Sequence, residues 1–281
     1  MEKIFSLIIT LIILCITPIN SISEQWRDYS ACKYGRLQSP ISLNEYESTY
    51  SNSFSFVYQY FKPNMNITKI ETYTTMWKIQ EGGNYLNFEK DGVIKQYELD
   101  KIELYKGIHK IDGEKGDCEL HLVHKKNLDF NSNKNQYRKI VDANMYLVIV
   151  LRYKNCTVEN SACISDNGLL SKLATNLNDF DLNKYPIYQD KRAYLYEGSF
   201  LYSPCDENVN YYVINDFFYP NGLDNGLNDT LKNFDLTDFN DIKDRYGRPV
   251  LKNFMTYREF LNSKINSINI FCLLIIFELI F

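Results

Sequence analysis

The sequence predicts one mainly-β domain with an apolar segment at each end. Three observations carry that expectation. Alternation of apolar and polar residues with a period of two dominates the chain, only one segment has a convincing helical spacing, and strands do not alternate with helices as a parallel α/β sheet requires. In order, the strand candidates are Phe54 to Tyr58, Met76 to Ile79, Tyr85 to Phe88, Glu119 to Val123, Met145 to Tyr153 and Val209 to Val213. Gly82-Gly83 and Asp91-Gly92 lie between such runs and read as turns. The helix is expected over Gly168 to Leu177, where Leu169, Leu170, Leu173 and Leu177 share a face behind the start signal Ser165-Asp166.

The chain has 281 residues, of which 45% are hydrophobic, 15% aromatic and 23% charged. That apolar content excludes disorder, collagen and coiled coil, because enough surface can be buried to offset chain entropy. A net charge of -4 argues against a nucleic-acid partner, whose phosphates require a basic footprint. No repeat and no Pro-, Gly- or Ser-rich linker divides the body, so residues 24–262 are expected to form a single domain.

Residues 1–23 read as a signal peptide: Lys3, an apolar run from Ile4 to Ile16, then a polar stretch ending in a cut after Ser23. The expected location is therefore extracellular. Residues 263–281 form a hydrophobic tail whose core, Ile268 to Phe281, would span only about 21 Å as a helix against a bilayer core of about 30 Å. A lipid-anchor signal after Asn262-Ser263 or Asn266-Ser267, a membrane-seeking end and a buried C-terminal element all remain open readings. Membrane association, if present, is expected through this tail.

Of seven cysteines, Cys15 lies in the signal and Cys272 in the tail, leaving Cys32, Cys118, Cys156, Cys163 and Cys205. Export places these where disulfides form, and the odd count leaves one over. Cys156 and Cys163 are close enough in a polar segment for a local bridge. Cys118, ahead of an apolar alternation, is the candidate free and buried thiol. Asn66, Asn155 and Asn228 each open an Asn-x-Thr glycosylation acceptor and are expected on exposed loops.

Three histidines are present, His109, His121 and His124. A zinc site built from all three conflicts with strand geometry, because 121 and 124 differ by an odd number and face opposite sides of a strand. Structural imidazoles, hydrogen-bonded to carboxylate or backbone, are the expected alternative.

Beyond these patterns, Gln38-Ser39-Pro40-Ile41, Glu119-Leu120-His121-Leu122-Val123-His124, Gly198-Ser199-Phe200-Leu201-Tyr202-Ser203-Pro204-Cys205 and Gly247-Arg248-Pro249-Val250 occur in the order found in the α-class carbonic anhydrases. The chain resembles that family over about residues 26 to 254. The resemblance implies a single domain with a large, twisted, mostly antiparallel central sheet and a few peripheral helices. It places the family's third zinc ligand at His121 and the carboxylate that orients a zinc-bound histidine at Glu119. The two remaining ligand positions fall on Glu103 and Tyr105, so two of three histidines are replaced. The family's gatekeeper threonine falls on Leu201 and its glutamate partner on Ile108. The proton-shuttle position falls near Thr74 or Thr75, and His109 matches a structural histidine. The resemblance also implies a bridge between Cys32 and Cys205, worth roughly 4–5 kcal/mol in the chain-entropy model for so long a loop.

Family chemistry uses zinc to lower the pKa of a bound water from about 15.7 to about 7. One histidine, one carboxylate and a phenol of pKa about 10 make a poor zinc site at neutral pH. An ion pair between Lys101 and Glu103, two apart on one strand face, is expected in its place. The sequence therefore predicts a catalytically inactive, secreted or cell-surface relative, without cofactor, serving as a binding or structural module for an extracellular protein or ligand. Tyr202, Tyr211 and Tyr212 fit a recognition surface, and core packing explains most such tyrosines equally well. The alternative is a zinc metalloenzyme whose rearranged site retains reversible carbon dioxide hydration.

Overall fold

The computed structural model describes residues 32, 35–57, 65–71, 74–80, 82–128, 145–154, 163–175, 180–185, 191–202, 204–220, 242–243 and 245–264. Its strands are β1 (Ser42–Leu43), β2 (Thr49–Tyr50), β3 (Phe54–Val57), β4 (Ile67–Glu71), β5 (Thr75–Ile79), β6 (Tyr85–Lys90), β7 (Val93–Lys106) and β8 (Lys110–Ile111). They continue with β9 (Glu114–Lys115), β10 (Cys118–Lys126), β11 (Tyr146–Tyr153), β12 (Cys163–Ser165), β13 (Ala193–Gly198), β14 (Val209–Tyr219) and β15 (Val250–Lys252). Helix α1 covers Leu169–Thr175 and helix α2 covers 257–264. Each strand expected from alternation is present, and the helix forms where the leucine spacing placed it. Among the described residues, no helix is long and apolar enough to cross a membrane.

Among the described residues, twelve strands form one sheet whose main path is β2-β15-β13-β14-β11-β10-β7-β5-β4. Most pairs are antiparallel, but β11 and β12 run parallel to β14, and β15 parallel to β2. The sheet is therefore mixed. β6 and β7 form a hairpin closed by Asp91 (φ 54°) and Gly92 (φ 73°). Two consecutive positive φ values favour Asx-Gly there, which is why that dipeptide marks the turn.

Alternation on the central strands sends side chains to two buried faces. Leu120 and Leu122 of β10, Ile102 and Leu104 of β7, and Leu147, Ile149 and Leu151 of β11 enter one cluster with Trp77, Phe88 and the α1 leucines. Val123, Val148, Val150, Tyr194, Tyr196, Tyr211 and Val213 enter a second cluster on the other side. Truncating one of these large side chains to alanine costs about 2–5 kcal/mol by transfer and cavity effects. α1 is held against the first cluster by its start: the Asp166 carboxylate accepts from Gly168 N (2.8 Å) and Leu170 N (2.9 Å). Glu119 and His121 share the second face with Val123. The site develops there.

Candidate functional site

Three sequence motifs meet at one hub. Ser39 N donates to Ser199 Oγ at 3.1 Å, and Ser199 N donates back to Ser39 Oγ at 3.1 Å. The approach is so close that a Cβ on Gly198 would sit 2.1 Å from Ser39 Oγ, so only glycine fits. Buried Arg248 closes the hub by donating to Gln38 O (2.7 Å) and Glu197 O (3.0 Å). Cys32 and Cys205 are disulfide-bonded, tying the N-terminal segment to the loop after this hub across a separation of 173 residues.

Beside the hub, Glu119 is completely buried and receives four donors. Its Oε1 accepts from Ile108 N (2.9 Å) and His109 N (2.6 Å), and its Oε2 accepts from His109 Nδ1 (2.7 Å) and His121 Nε2 (3.1 Å). A carboxylate has about four lone-pair sites, so this one is saturated. Burial alone would raise the Glu119 carboxyl, but the charge and hydrogen bond of His109, followed by those of His121, outweigh it and hold the group far below the usual range. His121 moves down, because burial outweighs the support of Glu119. The main chain reaches Glu119 through a tight passage: Gly107 N donates to Asp117 O (3.0 Å), and a Cβ on Gly107 would lie 1.9 Å from Gly116 O. On the far side, His109 Nε2 lies 2.8 Å from the Tyr196 hydroxyl, and Tyr196 stacks on Tyr211 with ring centroids 5.1 Å apart.

The next two residues on the strand face form a different arrangement. Across the ladder, Glu103 pairs with His121 and Tyr105 with Glu119. The Tyr105 hydroxyl donates to Glu103 Oε2 at 2.9 Å, and its ring packs 4.8 Å from the His121 ring. Lys101 Nζ lies 2.8 Å from Glu103 Oε1, the expected ion pair. That contact is not aligned as a hydrogen bond, so Oε1 is held by charge rather than by a directed N–H. Lys101 directs its ammonium to the Tyr202 hydroxyl and lies over the Tyr202 and Phe200 rings, 4.6 and 5.6 Å from their centroids. Ile108 and Leu201 pack together with Tyr105 as a small apolar cluster. A threonine–glutamate hydrogen bond cannot exist between them.

Among the described residues, His109, Glu119 and His121 can each present a ligand atom within 4.8 Å of the others. Tetrahedral zinc with ligand bonds of about 2.0–2.1 Å separates its ligand atoms by about 3.3 Å. The His109–Glu119 separation of 2.7 Å is instead that of a charge-assisted hydrogen bond. To bind an ion, Glu119 would have to release imidazoles or the two backbone N–H groups it satisfies. Both Glu103 oxygens likewise already face neighbours, Oε2 the Tyr105 hydroxyl and Oε1 the Lys101 ammonium.

The remaining sequence expectations sort clearly. His124 lies on the opposite face from His121, is fully buried and donates from Nδ1 to Leu147 O (3.2 Å). Burial pushes its pKa down to about 4, against the pull of backbone carbonyls. Thr74 and Thr75 are buried, and the Thr74 hydroxyl bonds to Leu104 O. Cys118 is a free, buried thiol whose pKa burial raises well above the ordinary value. Cys163 is disulfide-bonded, while Cys156 lies outside the described residues. Asn66 is exposed beside β4; Asn155, Asn228, the N-terminal apolar segment and the C-terminal apolar run lie outside the described residues.

Of the two readings open for Tyr211 and Tyr212, the structure selects core packing over a recognition surface: the Tyr211 hydroxyl donates to Ser199 O (2.8 Å), and Tyr212 packs against Phe54 and Phe56. Only Tyr202 of the three is partly open. Two contacts went unread in the sequence: Tyr196 on His109 and Lys101 on Tyr202, which join residues 87 and 101 positions apart. The alternation of β13 places Tyr196 inward, but nothing local names its partner.

The mainly-β fold is shared with a known group of proteins. Residues 21–244 match the model of the eukaryotic-type carbonic anhydrases, and the chain belongs to that family. Similarity extends to "Alpha carbonic anhydrase 8" of Arabidopsis thaliana, 24% identical over 195 residues, or 67% of this chain; the chain spans 45% of that relative's length. The fold is similar to the α-carbonic anhydrase of Thermovibrio ammonificans solved with sulfanilamide (TM-score 0.57, 21% identity, 81% of this chain and 94% of that one). It is also similar to dioscorin complexed with ascorbate (TM-score 0.59, 16% identity, 83% and 94%).

Proposed function

We propose that this protein is a catalytically inactive carbonic anhydrase relative, secreted or held at the cell surface, that acts as a binding or structural module. One observation carries the reading. The positions where the family holds two zinc histidines form a closed set of contacts, Lys101–Glu103–Tyr105, with both carboxylate oxygens occupied. The packing of Ile108 against Leu201 supports it, since the hydrogen bond that orients zinc-bound hydroxide in the family has no donor or acceptor there. No zinc cofactor is expected under this reading. An extracellular protein or small ligand is the proposed partner. The family signature supports a folded scaffold, and the partly exposed Tyr202, met by Lys101, supplies recognition chemistry.

The competing reading is a zinc enzyme with a rearranged site, favoured by the proximity of His109, Glu119 and His121. Stopped-flow carbon dioxide hydration with the full chain in saturating zinc separates the two. Hydration at the buffer rate is expected; a zinc-dependent rate abolished by His121→Ala would establish the enzyme instead.

A further inference from the structure

Exposed apolar side chains are not spread evenly over this molecule. Eight large ones are exposed among the described residues, and only Val93 and Leu128 lie elsewhere. The other six are Tyr46, Tyr246, Met255, Tyr257, Phe260 and Leu261, with Tyr46 82%, Tyr257 78% and Tyr246 66% exposed. Their three segments are tied together at the β2–β15 end of the sheet. Lys252 of β15 donates to Glu45 O (2.7 Å) and pairs with Glu259 of α2 (2.9 Å). Arg245 donates to Glu47 O (2.9 Å) and pairs with the Glu47 carboxylate (3.6 Å).

α2 is anchored at its start and exposed on all sides, with only Glu259 half-buried. Thr256 and Glu259 form a reciprocal capping box, Thr256 N donating to Glu259 Oε2 (2.7 Å) and Glu259 N to Thr256 Oγ1 (3.1 Å). Tyr257, Phe260, Leu261 and Lys264 follow the i, i+3, i+4, i+7 spacing of one helix face, and all four are exposed. The Lys264 ammonium lies 5.5 Å from the Phe260 ring centroid. Arg258, Asn262 and Ser263 lie off that stripe. In sequence, Ile265 and Ile268 continue the same spacing into the apolar run Ile268 to Phe281.

From this geometry we propose that the β2–β15 end of the domain is a membrane-contacting face. α2 lies in the headgroup region of a lipid bilayer, its Tyr257–Phe260–Leu261 stripe in the acyl boundary. Tyr46 and Tyr246 flank it, and Lys264 and Arg258 meet lipid phosphates. Aromatic rings with a polar edge and basic residues on a short amphipathic helix are the chemistry of that interface. The apolar run beginning four residues after Lys264 makes lipid, rather than another protein, the occupant. This rests on the cell-surface placement proposed above and is independent of metal content.

The test uses the full chain carrying Phe260→Trp or, as reference, Val93→Trp, mixed with phosphatidylcholine–phosphatidylserine vesicles whose acyl chains are brominated. Bromine quenches indole emission only at acyl depth. The expected result is loss of the added emission from Phe260→Trp and none from Val93→Trp. In parallel, Tyr257→Ser/Phe260→Ser/Leu261→Ser should weaken vesicle partition about tenfold with an unchanged urea midpoint. An unquenched Phe260→Trp in bound protein, equal quenching at both positions, or no vesicle binding overturns the proposal. So does a dimer in sedimentation with an unquenched Phe260→Trp, which would assign the face to a second copy.

Discussion

Glu119 and Glu103 are buried carboxylates on neighbouring strands, each beside His121, and they are satisfied in opposite ways. Glu119 is held by two backbone N–H groups and two imidazoles, all fixed by the hub and by the narrow Gly107–Gly116 passage. Glu103 is held by two side chains, Tyr105 and Lys101, and the latter leads outward to Tyr202. The first network is part of the backbone path and cannot change without moving a loop. The second consists of side-chain contacts alone, so it can change without disturbing the sheet. The comparison shows which part of the site is tied to the backbone of the fold and which is not.

The largest expected effect breaks the first network. Glu119→Ala leaves two backbone donors and two imidazoles buried without their acceptor, and should cost about 3–5 kcal/mol in urea denaturation. A loss below about 1 kcal/mol would show that the network is dispensable and remove the contrast.

Acid tests the buried imidazoles next. Burial pushes His124 down to about 4 in the folded chain against about 6.5 for a free imidazole, so the unfolded chain takes up the proton first as pH falls. Its contribution is complete above pH 6.5, declines through the window and is lost below about 4. His121, also shifted down, acts in the same direction. Between about pH 7 and pH 5, His124 alone should remove about 2 kcal/mol, and His124→Asn should flatten the slope of stability against pH. Glu119, shifted down, adds a loss only at lower pH, as the medium falls below the usual carboxylate range.

The smallest effect belongs to the Lys101–Glu103–Tyr105 set. Replacing the three together, Lys101→Met, Glu103→Leu and Tyr105→Phe, removes both charges and the hydroxyl that donates to Glu103, and similar volume should leave stability within about 1 kcal/mol of the parent or raise it. Glu103→Leu alone leaves Lys101 without its carboxylate, yet the ammonium is partly open and retains Tyr202, so the loss should be about 1 kcal/mol. A loss as large as that of Glu119→Ala would place the two carboxylates in one rigid unit and contradict the contrast.

Legibility in the sequence followed the same division. Strands with one clear alternation, such as Tyr85 to Phe88, were readable, and so was Asp91-Gly92, because a positive-φ pair demands small or Asx residues. The Lys101–Glu103 pair was readable because period two puts both on one face. Tyr211 and Tyr212 stay undecided between core and surface in the sequence because β14 is buried on both faces, so alternation assigns opposite sides but cannot say that neither meets solvent. Contacts across the fold, Tyr196 to His109 above all, depend on sheet order, which no local pattern encodes. The exposed stripe of α2 was hidden in the sequence by its place between the last strand and an apolar tail.

The most direct test of the central claim is the zinc content of the full chain, measured by elemental analysis after exposure to zinc and gel filtration. Zinc near zero per chain is the expected result, since Glu103 is committed to Lys101 and Tyr105, and Glu119 to its four donors. A stoichiometry near one, lost in both His121→Ala and Glu103→Ala, would contradict the account and return the protein to the metalloenzymes.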